Sequence, residues 1–374
     1  MKPTVSINDA PASDELEVSV FGPGFGECVV VHLGDGKWMV VDSCLNDSRT
    51  EPIALEYLKS LNVDVASQIK LIVVTHWHDD HIRGSGELFC AADSARFVCS
   101  AALNSKEFFG IVAASEQVRS VTRDSSASEI LTILRENHRR KGRGTTFSQS
   151  GPDQWAQDGS PLYRSSGCRN VAVTALSPSA QTITDAAANF AKLLPSVSEQ
   201  NRRFPRCSPN DQSVALIIES ETSSILLGAD LEAVSDPERG WQAILNSPLR
   251  PQVKCGAIKL AHHGSGNGDH DGIWSALLKP EPLSFVTPFT RGKKPLPSEA
   301  DIRRLKSRTP HLYCTAWPPS QKPPRRHRSV ERTIRAMTKM HRAVPRSVGQ
   351  IRLRVSMNDD RQPTIATFNG AARL

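Results

Sequence analysis

The sequence predicts an α/β protein built as a four-layer αββα sandwich. Short apolar runs rich in β-branched residues alternate with segments that suit helices, and this alternation occurs in two halves of the 374-residue chain. Several of these runs stop abruptly at Asp or His. Two strand–helix halves can each bury one face of a sheet, which places the sheets inside and the helices outside. We therefore expect a functional site at the edge between the two sheets.

In the first part of the chain, a polar segment over 1–14 is predicted as a loose tail. Strands are predicted near 16–33, 38–42 and 71–75, and a helix over 51–62, where Pro52 occupies a tolerated first-turn position. Residues 104–143 are expected to be mostly helical and polar, and 144–168, rich in Gly, Ser and Gln, to be loop. A helix over 182–194 and a loop over 196–212 follow.

The second part of the chain repeats the alternation of strands and helices. Strands are predicted near 213–220, 224–229, 257–262, 283–287, 311–316 and 351–356, with helices near 235–246, 270–278 and 298–308. We predict a single domain over 1–374, in which 104–210 is an insertion or cap region and 317–346 a basic insertion before the last strands.

The most informative segment follows the apolar run Leu71–Val74. It reads Thr-His-Trp-His-Asp-Asp-His and ends at His81, so three imidazoles and two carboxylates occupy six positions. His76 and His78 lie two apart and point the same way in extended backbone. Imidazole nitrogens and carboxylate oxygens bind Zn²⁺ and similar ions. A polar loop that is His-rich by chance is a poor alternative, because the chain has only 11 His. The segment therefore predicts a metal site.

Three other apolar runs end in candidate site residues. Trp38–Val41 precedes Asp42, Ser224–Gly228 leads to Asp230, and Ala257–Leu260 leads to the pair His262-His263. Each pattern is weak alone, since a strand that ends in Asp or His is common. Their order along the chain gives them weight together.

With these runs in this order, the sequence resembles the metallo-β-lactamase fold superfamily of hydrolases, whose signature is His-x-His-x-Asp-His after a strand. The resemblance implies an αββα sandwich with a centre of one or two Zn²⁺ or Mn²⁺ ions. It assigns His76 and His78 to one ion, Asp80 and His81 with one His of the 262–263 pair to the other, and Asp230 as the bridge. We assign the metal to His262 and a catalytic proton transfer to His263, although the sequence leaves their order open. Asp80 also serves as a catalytic residue, and Asp42 is expected to orient the site rather than to bind metal.

A narrower resemblance is to the hydrolase domain of bacterial DNA-uptake channel proteins, and it covers roughly 16–100 and 205–370. It is carried by Gly24–Cys28, Asn210–Ser213 and His262–Ser265. Phe25 and Glu27 depart from that pattern, and Arg291–Pro297 replaces its Gly-His-Pro segment. No His lies between His138 and His262, so one ion would have a thinner protein shell, completed by water, Asn210 or Asp211.

The composition predicts the location of the protein in the cell and the redox state of its cysteines. Neither a signal-peptide pattern nor an apolar run long enough to span a membrane is visible, so we predict a cytoplasmic protein. The eight cysteines show no Cys-x-x-Cys spacing, which favours reduced thiols over disulfides or a zinc ribbon. Cys44 lies close to Asp42 and is expected to be a buried bystander.

Positive charge is concentrated near the C-terminus. Residues 302–355 contain fifteen Lys or Arg and one acid, whereas the whole chain has a net charge of +7. We predict an exposed linker over 317–328 and a basic amphipathic helix over 329–344. Such a segment is typical of a surface that follows a phosphate backbone. A solvated insertion, a dock for an acidic protein and an anionic membrane surface are the alternatives.

We predict a metal-dependent hydrolase, and specifically a phosphodiesterase or nuclease that attacks nucleic acid with a metal-activated hydroxide. Substrate contacts are expected from Asn210, Ser265, Arg325, Arg326 and Arg328. Aromatic residues make up 6% of the chain, so contact with the backbone is favoured over base stacking. The alternatives are hydrolysis of a small substrate, such as a cyclic nucleotide, lactone or thioester, and a metal-stabilised module that docks to a partner protein.

Overall fold

The fold was analysed in a computed structural model that describes residues 6–22, 26–117, 126–142, 151–165, 170–193, 210–291, 294–318, 320, 328–337 and 348–374. The N-terminal part contains β1 (Glu15–Gly22), β2 (Cys28–His32), β3 (Trp38–Val41), α1 (Ile53–Ser60), α2 (Val65–Gln68), β4 (Ile69–Val74), α3 (Asp79–Ile82), α4 (Ser85–Ala91), β5 (Arg96–Ser100), α5 (Lys106–Gln117), α6 (Ser126–Lys141) and β6 (Gln154–Ala156).

The C-terminal part supplies most of a second sheet and returns to the first. Its elements are β7 (Pro161–Arg164), β8 (Ala172–Ala175), α7 (Ala180–Leu193), β9 (Leu216–Glu219), β10 (Ser224–Leu227), α8 (Gly240–Asn246), β11 (Cys255–Lys259), β12 (Leu278–Val286), α9 (Glu299–Arg308), β13 (Leu312–Cys314), α10 (Arg328–Met337), β14 (Gly349–Ser356), β15 (Thr364–Phe368) and β16 (Ala372–Arg373).

The strands form two mixed eight-stranded sheets. The first has the order β15-β14-β1-β2-β3-β4-β5-β6 and the second the order β16-β13-β12-β11-β10-β9-β8-β7. Strands β3 to β6 run parallel to one another, as do β10 to β13. The carboxyl ends of parallel strands meet at one edge of a sheet, where polar side chains can collect.

Three apolar clusters separate four layers. The central cluster joins the inward faces of the two sheets and includes Val18 and Val73 of the first sheet and Ile218 of the second. The outer face of each sheet packs against helices. The helix residues Leu58 and Phe89 cover the first sheet, and Trp241 covers the second. Along the inner strands, side chains alternate between the central cluster and a helical layer, which is the period expected for strands buried on both sides. The predicted αββα sandwich is confirmed.

Several local predictions differ from the structure. The stretch 144–168 is not all loop, because its residues 154–156 and 161–164 form β6 and β7. These short strands carry little apolar periodicity and are held by pairing at the sheet edges, with β6 on β5 and β7 on β8. The region 104–210 therefore contributes β6 to β8 to the sheets in addition to its helices.

The N-terminal segment is not loose where the structure describes it. Arg352 of β14 donates hydrogen bonds to the backbone carbonyls of Ser6, Ile7 and Asp9, at 2.8 to 3.2 Å.

Within the described ranges, no helix is both long enough and apolar enough to cross a membrane. The helix α10 begins as predicted and is described to Met337, and the rest of the predicted basic helix lies outside the described residues.

Candidate metal centre

The site lies at the carboxyl ends of the parallel strands of both sheets. Asp42 follows β3 directly, and His76 follows β4 after one residue. Asp230 and His263 come three and four residues after the ends of β10 and β11. Because these strand ends face one another across the sandwich, the side chains meet in one place.

One group of candidate ligands consists of His76, His78 and Asp230. The Nε2 atom of His76 lies 3.1 Å from the Nδ1 atom of His78. Two donors bound to one tetrahedral ion at about 2.1 Å are separated by about 3.4 Å, so this pair is spaced to share an ion. Thr75 Oγ1 donates to Asp42 Oδ2 and lies 3.0 Å from His76 Nδ1. The hydroxyl thus accepts a hydrogen bond from Nδ1, and the lone pair on His76 Nε2 is left to bind a metal.

The second group consists of Asp80, His81, Asp230 and His263. His81 Nε2 lies 3.4 Å from Asp230 Oδ1, and His263 Nε2 lies 3.6 Å from Asp230 Oδ2. Asp80 Oδ2 lies 3.4 Å from His263 Nε2 and 3.8 Å from His81 Nε2. Asp230 belongs to both groups, so its carboxylate is available to either of them.

Two buried atoms in the cluster lack hydrogen-bond partners. These are His81 Nε2 and Asp230 Oδ1, which face each other at 3.4 Å, longer than a normal hydrogen bond. Buried polar atoms are costly unless something satisfies them, and a cation satisfies a lone pair on nitrogen or carboxylate oxygen. The donor set of imidazole and carboxylate suits a divalent ion such as Zn²⁺ or Mn²⁺. The cluster can therefore hold a metal.

The electrostatics of the cluster also favour a cation. Burial lowers the pKa of His76 well below its ordinary value. Burial alone would also lower the pKa of His81, but the carboxylates of Asp230 and Asp42 raise it well above the ordinary value. Burial alone would raise the pKa of Asp230, but His263 and His81 hold it well below the usual range. The pKa shifts of Asp230 and His81 thus favour a carboxylate beside a protonated imidazole when no metal is bound. A metal ion would displace that proton.

Asp42 lies directly behind His81, and it also forms with His76 and His81 a third group that could hold a metal. Its carboxylate accepts hydrogen bonds from the backbone N–H and the hydroxyl of Thr75 and from His81 Nδ1, each at 2.7 Å. The bond to Nδ1 fixes the His81 tautomer and directs Nε2 into the second group. A carboxylate behind a ligating imidazole holds the ring in place and makes it more basic.

We expect the substitution Asp42→Asn to weaken metal binding by about 10- to 100-fold, because the amide presents an N–H group to donors that need an acceptor. Competition with a chromophoric chelator measures the effect. Asp359→Asn, which changes an exposed carboxylate paired with Arg361, is the matched control and should leave the affinity unaltered. Equal affinity in Asp42→Asn and the wild type would contradict the orienting role.

The structure places His263, and not His262, in the cluster. The alternation expected of strand residues does not apply here, because β11 ends at Lys259 and His262–Gly264 form a tight 3-10 turn. Both histidines have positive φ, 45° and 54°. His262 lies outside both ligand groups, with Nδ1 3.3 Å from Glu232 Oε1 and Nε2 3.3 Å from Asn210 Nδ2. The geometry therefore corrects our assignment of the ligand, because His263 and not His262 belongs to the group that could hold a metal.

The predicted substrate contacts lie in different settings. Asn210 is buried, donates to Glu232 and keeps its Oδ1 without a hydrogen-bond partner beside His262. Ser265 is buried and donates to Asn267, which is a turn role. Arg328 is exposed at the start of α10, whereas Arg325 and Arg326 lie outside the described residues. Among the described candidates, Asn210 contacts His262, whereas Ser265 is used within its own turn.

The sequence did not predict the chain of contacts that supports His263 from behind. His263 Nδ1 lies 3.0 Å from the carbonyl oxygen of Thr287, and the Thr287 hydroxyl donates to Glu27. Glu27 in turn forms an ion pair with Lys259, and both side chains are buried. A lysine inside the apolar run Ala257–Ala261 is the signal that could have shown a buried ion pair.

The cysteines described here are free thiols, as expected, and Cys168 and Cys207 lie outside the described residues. Cys44 is buried, and burial together with the charges of Glu27 and Asp42 raises the pKa of its thiol. A thiol with a raised pKa is a poor ligand and nucleophile. This agrees with the expectation that Cys44 is a bystander.

Comparisons with known proteins give one sequence match and several structural ones. The sequence model of the Metallo-beta-lactamase superfamily matches residues 21–111, which include the His76–His81 segment. No curated protein matches the chain significantly. The metallo-beta-lactamase fold protein YhfI from Bacillus subtilis is similar at 13% identity and a TM-score of 0.35, over 82% of this chain and 97% of that one.

Two further solved structures are similar to the chain. Metallo-beta-lactamase SMB-1 bound to 2-mercaptoethanesulfonate has 12% identity and a TM-score of 0.35, over 69% of this chain and 82% of that one. Zn²⁺-bound PqqB from Methylobacterium extorquens has 12% identity and a TM-score of 0.26, over 56% of this chain and 51% of that one.

Proposed function

We propose that this chain, whose segment 21–111 matches the Metallo-beta-lactamase superfamily, is a metal-dependent phosphodiesterase that acts on nucleic acid. The observation that carries the hydrolase assignment is the position of Asp230, which belongs to both the His76–His78 group and the Asp80–His81–His263 group. Two ligand groups that share a carboxylate are the arrangement needed for two neighbouring ions. When bound, Zn²⁺ or Mn²⁺ supplies activation of water and polarisation of the substrate oxygen.

The chain's own residues would then position the ligands and supply the proton for the leaving oxygen. Asp42 and the Thr287 carbonyl hold the rings of His81 and His263, so their Nε2 atoms stay directed into the cluster. His262 is partly exposed and lies between Glu232 and Asn210, outside both ligand groups. We assign to its imidazole the proton that the leaving oxygen needs. Asn210 keeps this imidazole in place.

The proposal that the substrate is a nucleic acid rests on positively charged side chains. Several of these side chains already have partners within the fold. Arg304 and Arg308 pair with Asp269 and Asp271, and Arg352 and Arg354 hold the N-terminal segment and Glu17. Arg328 and Arg332 are exposed and lie four residues apart on α10, so they share one face. These cations support contact with a phosphate backbone. The resemblance to the hydrolase domain of DNA-uptake channel proteins and a cytoplasmic location belong to the same proposal.

A second candidate function is supported by the apolar side of the same helix. Met337 is 81% exposed and Val330 is 46% exposed, seven residues apart on α10. Exposed apolar residues on one helical face are typical of a surface that binds another protein. In this alternative, the metal stabilises a module whose helix α10 docks to a partner.

Metal analysis together with a substrate panel tests the proposed function. We expect purified protein to carry Zn²⁺ or Mn²⁺ and to hydrolyse DNA, RNA or bis-p-nitrophenyl phosphate, with the activity lost on chelation and in Asp80→Ala. Asp93→Ala, which alters an exposed carboxylate, is the control. For three phosphate contacts, binding of DNA should weaken about 40-fold as salt rises from about 50 to 200 mM.

Other results would redirect the assignment. Hydrolysis of a cyclic nucleotide, with no cleavage of single- or double-stranded DNA or RNA, would sink the nuclease proposal and favour a small substrate. Full cellular function in Asp80→Ala would overturn the enzymatic reading and leave the partner-docking module.

A further inference from the structure

The carboxamide oxygen of Asn210 is buried and lacks a hydrogen-bond partner within the described part of the chain. Asn210 begins the 3-10 turn Asn210–Gln212 just before β9, and the residue is 7% exposed. A buried acceptor without a partner costs stability, so one that persists in a folded protein calls for an explanation. A bound cation would supply the missing partner.

The amide group of Asn210 is held in one orientation. Its Nδ2 atom donates to Glu232 Oε1 at 2.9 Å and lies 3.3 Å from His262 Nε2. An ionised carboxylate can only accept, so the atom that faces Glu232 must be the nitrogen. The oxygen is therefore the end of the amide that is left for a ligand.

The turn is attached to the strand end that carries His76 and His78. The backbone N–H of Val214, directly after the turn segment Asn210–Ser213, donates to the carbonyl of Thr75 at 3.1 Å. The Thr75 hydroxyl lies 3.0 Å from His76 Nδ1. One residue, Thr75, thus contacts both the chain that leaves the turn and the first of the candidate ligands.

The Asn210 side chain reaches the loop that carries Asp230. Glu232, which accepts from Asn210, follows Asp230 by two residues. Burial lowers the pKa of His78, and the nearby His262 lowers that pKa further. The amide of Asn210 therefore lies among residues that adjoin two of the ligands, His78 and Asp230.

His76, His78 and Asp230, which we call the first ligand group, offer three protein donors. A closed tetrahedral site has four. Because the sequence has no His between His138 and His262, it leaves water, Asn210 and Asp211 as candidates for the fourth position.

Asp211 faces a different set of residues. Burial raises the pKa of its carboxyl group, and the neighbouring charges that shift this pKa belong to Arg239, Glu232 and Asp185. None of these three residues is a member of a ligand group. The surroundings of the turn therefore favour Asn210 over Asp211.

We propose that Asn210 Oδ1 is the fourth protein ligand of the ion held by the first ligand group. The inference rests on the metal centre of the proposed function and does not depend on the substrate. The donor set then consists of two imidazole nitrogens, one carboxylate oxygen and one amide oxygen. Carboxylate and carbonyl oxygens suit Mn²⁺, which makes Mn²⁺ the probe of choice.

Titration of the metal-free protein with Mn²⁺, followed by the electron paramagnetic resonance of the free ion, tests the assignment without a substrate. We expect Asn210→Ala to weaken one Mn²⁺-binding step about tenfold or more, because it removes a ligand. Asn210→Asp retains an oxygen ligand but loses the N–H donors, and it should bind Mn²⁺ at least as tightly as the wild type. Asn246→Ala, which alters an exposed Asn at the end of α8, is the control and should leave binding unchanged.

Three results would overturn the proposal. Unchanged Mn²⁺ affinity in Asn210→Ala would leave the fourth position to water. Equal weakening in Asn210→Ala and Asn210→Asp would show that Asn210 acts only through its contacts with Glu232 and His262. The absence of Mn²⁺ binding by the wild type would also contradict it.

Two further controls keep the result interpretable. Circular dichroism checks that the variants fold, and Asn210→Asp decides the question alone if Asn210→Ala does not fold. If Mn²⁺ binds as expected but the loaded protein cleaves neither nucleic acid nor bis-p-nitrophenyl phosphate, the proposed function fails and the ligand assignment stands.

Discussion

Replacing Asp230 by Ala is expected to abolish metal-dependent hydrolysis and to reduce the bound metal. Asp230 is the only residue shared by the His76–His78 group and the Asp80–His81–His263 group, so its loss removes a ligand from both. Loss of a residue that merely supports a ligand costs about 10- to 100-fold in metal affinity or activity, and loss of a ligand should exceed that range. Metal content by atomic emission and the hydrolysis rate of bis-p-nitrophenyl phosphate measure the two effects.

The control for this substitution is Asp236→Ala, which lies six residues further along the same segment and pairs with Arg239. It should retain both metal and activity. Circular dichroism should show that Asp230→Ala remains folded, so that a loss of activity reports on the centre. Full activity with normal metal content in Asp230→Ala would contradict the shared-ligand assignment.

The sequence predicted those parts of the site that depend on local spacing. His76, His78, Asp80 and His81 occupy a six-residue segment shortly after a buried strand, so one turn of helix suffices to bring them together. Asp42 and Asp230 followed from apolar runs that end in Asp and from the resemblance of those runs to the motifs of the metallo-β-lactamase fold superfamily. The two-sheet sandwich followed in the same way, because strand and helix periods differ along the chain.

The sequence could not predict features set by backbone turns or by distant partners. The choice between His262 and His263 depends on the left-handed backbone of a turn, which strand alternation does not describe. Arg352 and Arg354 looked like part of a basic surface, but they contact residues more than 300 positions away. Net charge in a segment does not reveal which charges are paired inside the fold.

Glu27 and Lys259 present a different energetic problem from that of the metal ligands. The Lys259 side chain is 1% exposed and that of Glu27 is 2% exposed. Lys259 also donates to the carbonyl of Ala229 at 3.1 Å, and the backbone N–H of Glu27 donates to that of Asp80 at 2.9 Å. Removing one member of a buried pair leaves the other charge without compensation, which is costlier than losing the whole pair.

We expect Glu27→Gln to lower the free energy of unfolding by about 3–5 kcal/mol, because it leaves the buried Lys259 ammonium without its carboxylate partner. The double substitution Glu27→Gln/Lys259→Met should be more stable than Glu27→Gln alone, since it removes the stranded charge. Urea unfolding of the metal-free protein measures both changes. Glu51→Gln breaks an exposed ion pair with Lys59 and should cost less than about 1 kcal/mol.

The metal-free condition separates two consequences of the same substitution. Glu27 accepts from Thr287, whose carbonyl holds His263 Nδ1, so Glu27→Gln should also weaken metal binding. Bound metal would add its own stabilisation to the folded state and obscure the cost of the stranded lysine. If Lys259→Met restores stability to the double variant but not its metal affinity, Glu27 has two separable roles. Wild-type stability in metal-free Glu27→Gln would show that the buried pair does not hold the two sheets at this edge.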